Sequence, residues 1–462
     1  MGGRRRKPGP QQAVLPGFGA EPFRPGPAEG FVPPVASNEL RTTTASLMEE
    51  VADIGNLRQA FRKVRANRGA PGPDGMTVED LGRWMAEHAE ALRQELLEGQ
   101  YKPQPVRGVS IPKPGGGERM LGIPSVCDRL VQQALLQKLE PIFDPAFSGS
   151  SFGFRPGRSA HAALRQGQGF VDGGREFVVD LDLEKFFDRV NHDVLMSRVA
   201  RRVDDKRVLG LIRRFLTAGL MAEGVCVRRE EGTPQGGPLS PLLANILLDD
   251  MDKELERRGH CFCRYADDLN IYVASVKAGE RVMASVTVFL EKRLKLKVNR
   301  GKSAVDHVSN RKFLGYRLLG PDRGLGIHPK SVDRFKDKVR ALTRRNRAQA
   351  LSKVVAGLNR LIRGWVGYFH LGRLTGLLRD LDKWIRRKLR CIRLKRCKHA
   401  LGLGRFLRAC GVAAGLSRML SSSGKGWWRL SLTRQASQAM DTRWFRELGL
   451  VGLQDEYARW RT

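Results

Sequence analysis

The amino-acid sequence predicts an α+β fold, with short antiparallel strands set between longer helices. Three stretches point to it. Cys263-Arg264-Tyr265-Ala266-Asp267-Asp268-Leu269-Asn270-Ile271-Tyr272-Val273 alternates apolar and polar residues on both sides of an acidic pair, which reads as a strand, a tight turn at Ala266-Asp267 and a returning strand. Upstream, Phe177-Val178-Val179-Asp180-Leu181-Asp182-Leu183 reads as a second strand-like run that also carries acids. The last third is helical in period and basic, with 31 basic and 8 acidic residues over positions 331–462 and no acid between Lys383 and Met440.

Adjacent carboxylates repel, and seating them between apolar strands is costly unless a cation neutralises them. A solvated Asp-Asp turn is the alternative for an isolated pair. The further acid at Asp182 shifts the reading to a carboxylate cluster of the kind that holds two Mg²⁺ ions for phosphoryl transfer.

The other elements follow in order. Residues 1–45 are rich in Pro, Gly and Arg without apolar period, which predicts a disordered basic tail. Leu47 to Leu97 has helical spacing, broken by the loop Asn67-Arg68-Gly69-Ala70-Pro71-Gly72-Pro73-Asp74-Gly75. Val106 to Ile111 and Met120 to Ile123 form a hairpin whose tip carries Lys113 and Arg119. That tip suits a triphosphate, and a solvated turn equally. Asp128 to Leu139 reads as a helix. In Phe152-Gly153-Phe154-Arg155-Pro156-Gly157-Arg158-Ser159, two aromatics alternate with two arginines, as a nucleic-acid backbone and stacked bases would want; a turn packed by its own rings is the alternative. Leu183 to Asp188 reads as the start of a helix. Phe187 could fold beneath a bound sugar, where a ring would exclude a 2′-hydroxyl, or serve as a core aromatic. Thr233-Pro234-Gln235-Gly236-Gly237-Pro238-Leu239-Ser240-Pro241 opens a helix from Leu242 to Leu255, its glycines permitting close backbone approach to a ligand. After a helix at Ala284 to Leu294, Lys302 is placed to meet a phosphate or solvent, and Phe313-Leu314-Gly315-Tyr316 makes a turn. Val354 to Phe369 and Leu377 to Leu389 are helical.

Composition narrows the partners. The formal net charge of +34 makes a polyanion the first to consider. No apolar run reaches about 18 residues, so no span crosses a bilayer, and the N-terminus lacks both a signal core and a myristoylation serine or threonine. Seven scattered cysteines argue for reduced thiols in a cytoplasmic setting. Neither Cys261-Phe262-Cys263 nor Cys391, Cys397 and His399 has zinc spacing.

The ordered set Arg155-Pro156-Gly157-Arg158, Asp182 with Phe187, Thr233 through Pro241, Tyr265-Ala266-Asp267-Asp268 and Phe313-Leu314-Gly315-Tyr316 resembles the reverse transcriptases encoded by bacterial group II introns. Gly364-Trp365-Val366-Gly367-Tyr368-Phe369 with Trp384-Ile385-Arg386-Arg387-Lys388-Leu389 is similar to that family's maturase region, and Gly424 through Tyr457 to the end of its class C members.

The resemblance implies a right-hand polymerase of fingers, palm and helical thumb. It divides the chain into an N-terminal extension at 46–105 with a template-lid loop that carries Arg68, fingers and palm at 106–328, thumb at 329–412 and a DNA-binding segment at 413–462. It implies that Asp182, Asp267, Asp268 and the Leu183 carbonyl hold Mg²⁺. It assigns Lys113, Arg119 and Gln235 to the nucleotide and Phe187 to the sugar gate. From the residues themselves, Lys302 is a further nucleotide candidate, and Arg155, Arg158, Arg68, Trp365, Arg386 and Arg387 are the candidates for nucleic-acid contact. The expected partners are group II intron RNA, an RNA template with a DNA primer, dNTPs and target DNA, met in the cytoplasm at the nucleoid. No nuclease segment follows Thr462, so a pre-existing 3′ end is expected as primer. A domesticated polymerase in repair or phage defence and a splicing cofactor without chemistry are the alternatives.

Overall fold

The structure, a computed structural model, describes residues 44–112, 118–222, 225–227, 231–233, 236–345 and 349–461. Its strands are β1 (Val106–Pro112), β2 (Glu118–Ile123), β3 (Phe177–Leu181), β4 (Leu220–Ala222), β5 (Val225–Val227), β6 (Cys261–Tyr265), β7 (Asp268–Val273), β8 (Ala304–His307), β9 (Tyr316–Leu318) and β10 (Leu325–Ile327). The chain forms two compact units and passes between them repeatedly: one ends its first segment at Arg158 and adds Asp182–Gly259 and Ser285–Asn299, while the other comprises Ser159–Leu181, His260–Ala284 and the chain from Arg300 onward.

The first unit is built on the Val126–Phe143 helix, which is buried along most of its length. Ser125 caps it by accepting from the Asp128 backbone N–H, and the Asp128 carboxylate in turn takes hydrogen bonds from Ser125 Oγ at 2.8 Å, Tyr101 OH at 2.9 Å and Gln104 N at 3.1 Å. Burial pushes the Asp128 carboxyl up to about 6 despite these donors. Helix Ile54–Asn67 packs alongside through buried Asn56, whose Nδ2 donates to Val51 O and Ala134 O. The loop that follows is tied down by Arg129 Nη2 donating to Ala70 O at 2.8 Å, with Arg68 exposed on it. A four-stranded sheet in the order β2-β1-β4-β5 completes the unit; β1 pairs β2 antiparallel and β4 parallel.

The second unit holds an antiparallel sheet in the order β6-β7-β3-β8, covered by helix Ala160–Asp172. Its inner residues, among them Val179, Leu181, Phe262, Leu269 and Ile271, are buried. Helices Pro329–Leu342, Leu351–Phe369 and Thr375–Lys395 follow, then six short helices. The short segments are stitched back: Asp382 accepts from Leu453 N at 2.9 Å and Gln454 N at 3.2 Å, and Tyr457 OH donates to Gly372 O at 2.7 Å.

Several sequence expectations need correction here. The helix expected at Asp128 begins at Val126 and runs to Phe143. Leu183 to Asp188 does not open a helix: Lys185 has φ +48°, and a single 3₁₀ turn at Phe186–Asp188 precedes the helix His192–Val199, which Asn191 caps. The helix expected at Ala284–Leu294 begins earlier, at Val276. Trp365 is not a surface ring but a core one, 9 % exposed and packed between Phe335 and Phe369 at 4.6 and 5.1 Å. Arg155 does not reach outward either; its side chain is 4 % exposed and clamps its own loop.

Candidate active site

The acidic hairpin folds as its alternation predicts. β6 and β7 pair in register down to Tyr265↔Asp268, which leaves Ala266 and Asp267 as the two-residue turn. Ala266 has φ +58°, a region that a residue with a Cβ enters at a cost of about 1–3 kcal/mol. The fully buried Arg264 holds it there, donating from Nη1 to Ala266 O at 2.9 Å. Asp267 is half-buried and Asp268 exposed.

β3 is the central partner of this hairpin, and its ladder with β7 ends at Leu181↔Leu269. Asp182 follows on the chain, half-buried, with its carbonyl accepting from Asn299 N at 2.8 Å. Buried Leu183 bridges Val298. Asp180, the other acid of the β3 stretch, is bound by Arg311 at 2.6 Å. Carboxylate oxygens are what a hard divalent cation takes, so the donor chemistry fits Mg²⁺. Among the described residues no three acidic, histidine or cysteine side chains form a ready cage. Mg²⁺ is normally held by one or two carboxylates plus waters and substrate phosphates, so a closed protein cage is not what it needs.

Lys312 is a residue that sequence reasoning missed. It is exposed, yet the protein packed around its base lowers its pKa, partial desolvation first, with Arg334 and Lys330 adding to the effect while Asp268 and Asp180 oppose it. The signal was a lysine directly before the Phe313–Tyr316 turn, where Leu314 and Gly315 both have positive φ and residues 313 and 316 exchange backbone hydrogen bonds.

In the first unit, Phe187 sits half-buried on the 3₁₀ turn, edge-on to buried Phe186 at 5.1 Å. The segment leading to Thr233 docks on this turn: Thr233 N donates to Phe187 O at 2.7 Å and Gly232 N to Val190 O at 2.8 Å. Gly232 has φ +89°, and a Cβ there would lie 2.9 Å from backbone atoms of Phe187 and Asp188, so only glycine fits. Gln235 and Lys113 lie outside the described residues, as does the side chain of Arg119, which stands on β2.

The remaining basic positions divide. Arg158 is exposed beside the Phe152 ring, and Phe154 between them is 51 % exposed with φ +59°. Lys302 is exposed before β8, and its carbonyl accepts from Arg311. Arg386 is half-buried near Asp382. Arg387 lies over Trp428 at 3.8 Å and donates to its carbonyl.

A two-stranded acidic hairpin beside a central acid-bearing strand, followed by basic helices, defines a nucleic-acid polymerase of the reverse transcriptase class. Residues 111–318 match the family "Reverse transcriptase (RNA-dependent DNA polymerase)", and residues 332–411 match "Group II intron, maturase-specific domain". The chain is 36 % identical over 304 residues to Protein YkfC of Escherichia coli strain K12, covering 57 % of this chain and 80 % of that one. It is 29 % identical over 328 residues to the group II intron-encoded protein LtrA of Lactococcus lactis, covering 56 % of this chain and 54 % of that one. The chain thus spans most of YkfC but about half of LtrA. Among solved structures, a Cas6-RT-Cas1–Cas2 complex is 25 % identical with TM-score 0.35, over 53 % of this chain and 42 % of that one. Telomerase from Candida albicans is 13 % identical with TM-score 0.39, over 67 % and 62 %. The chain belongs to the group II intron-encoded reverse transcriptase and maturase family, whose reverse transcriptases are RNA-directed DNA polymerases that use divalent metal ions. Among the described residues no helix is long and apolar enough to cross a membrane.

Proposed function

We propose that this chain copies group II intron RNA into DNA, and that it clamps the same RNA to assist splicing, working in the bacterial cytoplasm at the nucleoid. The observation that carries the first activity is the register of the palm sheet: the turn with Asp267 and Asp268 closes one side of β7, and Asp182 continues β3 past its last pair with β7. The maturase-specific match and the acid-free basic run from Lys383 to Met440 favour the second.

In this reading Asp182, Asp267, Asp268 and the Leu183 carbonyl hold two Mg²⁺ ions, which when bound would favour the primer 3′-oxygen as nucleophile and the pyrophosphate as leaving group. The new bond joins that 3′-oxygen to the α-phosphorus of a dNTP as the bond to pyrophosphate breaks. Arg264 fixes the turn so that the hairpin acids are oriented before substrate arrives. Lys113, Arg119, Gln235 and Lys302 would meet the triphosphate and base, and Lys312 brings a further cation to the Asp268 side. Arg158, Arg68 and Arg386 would meet nucleic acid.

Extension of a DNA primer on an RNA template with dNTPs, with and without Mg²⁺, tests this reading. It stands on Mg²⁺-dependent product and falls if the purified chain makes none. Phe187 gives a second, independent outcome. Shortening it to alanine should leave dNTP use largely intact and lower discrimination against rNTPs about ten- to a hundredfold, the range a pocket's steric selection supplies. The ratio of kcat/KM values for dNTP and rNTP checks it; an unchanged ratio assigns Phe187 to the core.

A further inference from the structure

The chain carries a second aromatic and cationic site, built from residues other than those assigned to the polymerase chemistry above. Helix Thr375–Lys395, the end of helix Pro329–Leu342 and the short helix Trp427–Leu430 enclose a cavity of about 280 Å³, lined by Thr343, Arg345, Lys388, Cys391 and Trp428. Lys388 Nζ lies 5.1 Å from the Trp428 ring and 5.5 Å from that of Trp384, and Arg340 lies over Trp384 at 5.8 Å. Among the described residues neither Lys388, Arg345 nor Arg387 has an acidic partner; Arg345 instead turns Nη1 toward Cys391 Sγ at 3.9 Å. Like charges gathered without a counter-charge destabilise the empty pocket and favour an anion in it. Burial lowers the Lys388 pKa first, and Arg340 and Arg345 lower it further.

At about 280 Å³ the cavity sits at the lower edge of the ~300–1,000 Å³ range of small-molecule pockets, the scale of one nucleotide and far too small for a duplex, and it joins an aromatic face to a cluster of cations. A planar base stacks on such a ring and its phosphate meets the cations. We propose that this pocket receives a single nucleotide extruded from a bound nucleic-acid strand, the base against Trp428 and the phosphate between Arg345 and Lys388. This rests on the reading of the chain as a nucleic-acid-binding enzyme. It adds a place where an unpaired nucleotide is recognised by stacking rather than by the palm.

The test uses the full chain and hairpins that carry one bulged 2-aminopurine, in RNA and in DNA, each beside a fully paired control at fixed salt. The wild type should bind a bulged hairpin about five- to a hundredfold more tightly than its control, with quenched 2-aminopurine fluorescence, as base–aromatic stacking supplies. The preferred backbone identifies the strand. Trp428→Ala should abolish the preference and Trp428→Phe should restore part of it. Arg345→Glu, at an exposed side chain and checked by an unchanged melting temperature, should abolish it as well. Equal binding of bulged and paired probes by the wild type, or an undiminished preference in Arg345→Glu, overturns the pocket. Primer extension by the same wild-type preparation reports separately on the polymerase, so a protein that extends primers yet ignores the bulge sinks this inference alone.

Discussion

Replacing Asp267 with asparagine is expected to reduce primer extension at least about 10³-fold while RNA affinity changes by no more than a few-fold. The lost oxygen charge is one of the few the hairpin offers a divalent ion, and metal stabilisation of transition-state charge is worth several kcal/mol, each ~1.4 kcal/mol being tenfold in rate. The fold should survive. Asp267 is half-buried at a turn and asparagine has nearly its shape, so the substitution opens no cavity. The turn itself is held through the Ala266 carbonyl by Arg264, which the substitution leaves in place. Asp180 provides the contrast. It stands two residues before Asp182, but Arg311 binds it in the folded protein, so Asp180→Asn should cost stability and lower extension by less than about tenfold. Single-nucleotide extension across a Mg²⁺ titration, with filter binding of RNA and thermal melting alongside, distinguishes the two. Turnover by Asp267→Asn within tenfold of wild type would remove the hairpin from the chemistry.

Why the hairpin was legible and other parts were not comes down to the range of the forces involved. The 263–273 stretch alternates strictly around a two-residue turn, so local pattern fixes strands, register and tip together. The first unit's sheet was legible only by half: the β1–β2 hairpin shows in the local pattern, whereas β4 and β5 are three residues each and β4 pairs β1 in parallel from more than a hundred residues away. Ser125 and Asp128 form a capping pair whose three-residue spacing was present in the sequence and would have set the helix start correctly. Trp365 teaches a different lesson. Leu358, Ile362, Trp365, Val366 and Phe369 form one apolar helical stripe, all buried, and that periodicity outranks the surrounding charge as a guide to where a ring points. At Lys185 a left-handed residue stops the chain from entering a helix, which propensity alone does not foresee.

Arg155 illustrates how an arginine in a basic, aromatic-rich motif can be committed inward, and it yields the largest expected stability effect. Its Nε donates to Asp144 Oδ1 at 2.7 Å, Nη1 to the carbonyls of Ser148 and Ser151, and Nη2 to Asp144 O, while Phe147 lies 5.3 Å from the guanidinium. One side chain thus closes the loop between the Val126–Phe143 and Ala160–Asp172 helices. Alanine at this position strips the Asp144 carboxylate of this donor and takes one donor from each of three carbonyls, two of which keep a backbone N–H (Phe147 N on Asp144 O and Ser151 N on Ser148 O, both 3.2 Å); breaking a buried ion pair costs about 3–5 kcal/mol. Because Asp144 is 24 % exposed and water can reach it, the lower end applies, about 3 kcal/mol, with a fall in Tm near 10 °C. Lysine keeps the charge but cannot span the four acceptors set around the guanidinium fork, so it should recover less than half. Melting curves and RNA affinity measured on the same variants separate the two roles available to this arginine. A destabilised Arg155→Ala that still binds RNA at low temperature fits a clamp. Wild-type Tm with weakened RNA binding would return Arg155 to the nucleic-acid surface, and the inward geometry would then have to yield when RNA arrives.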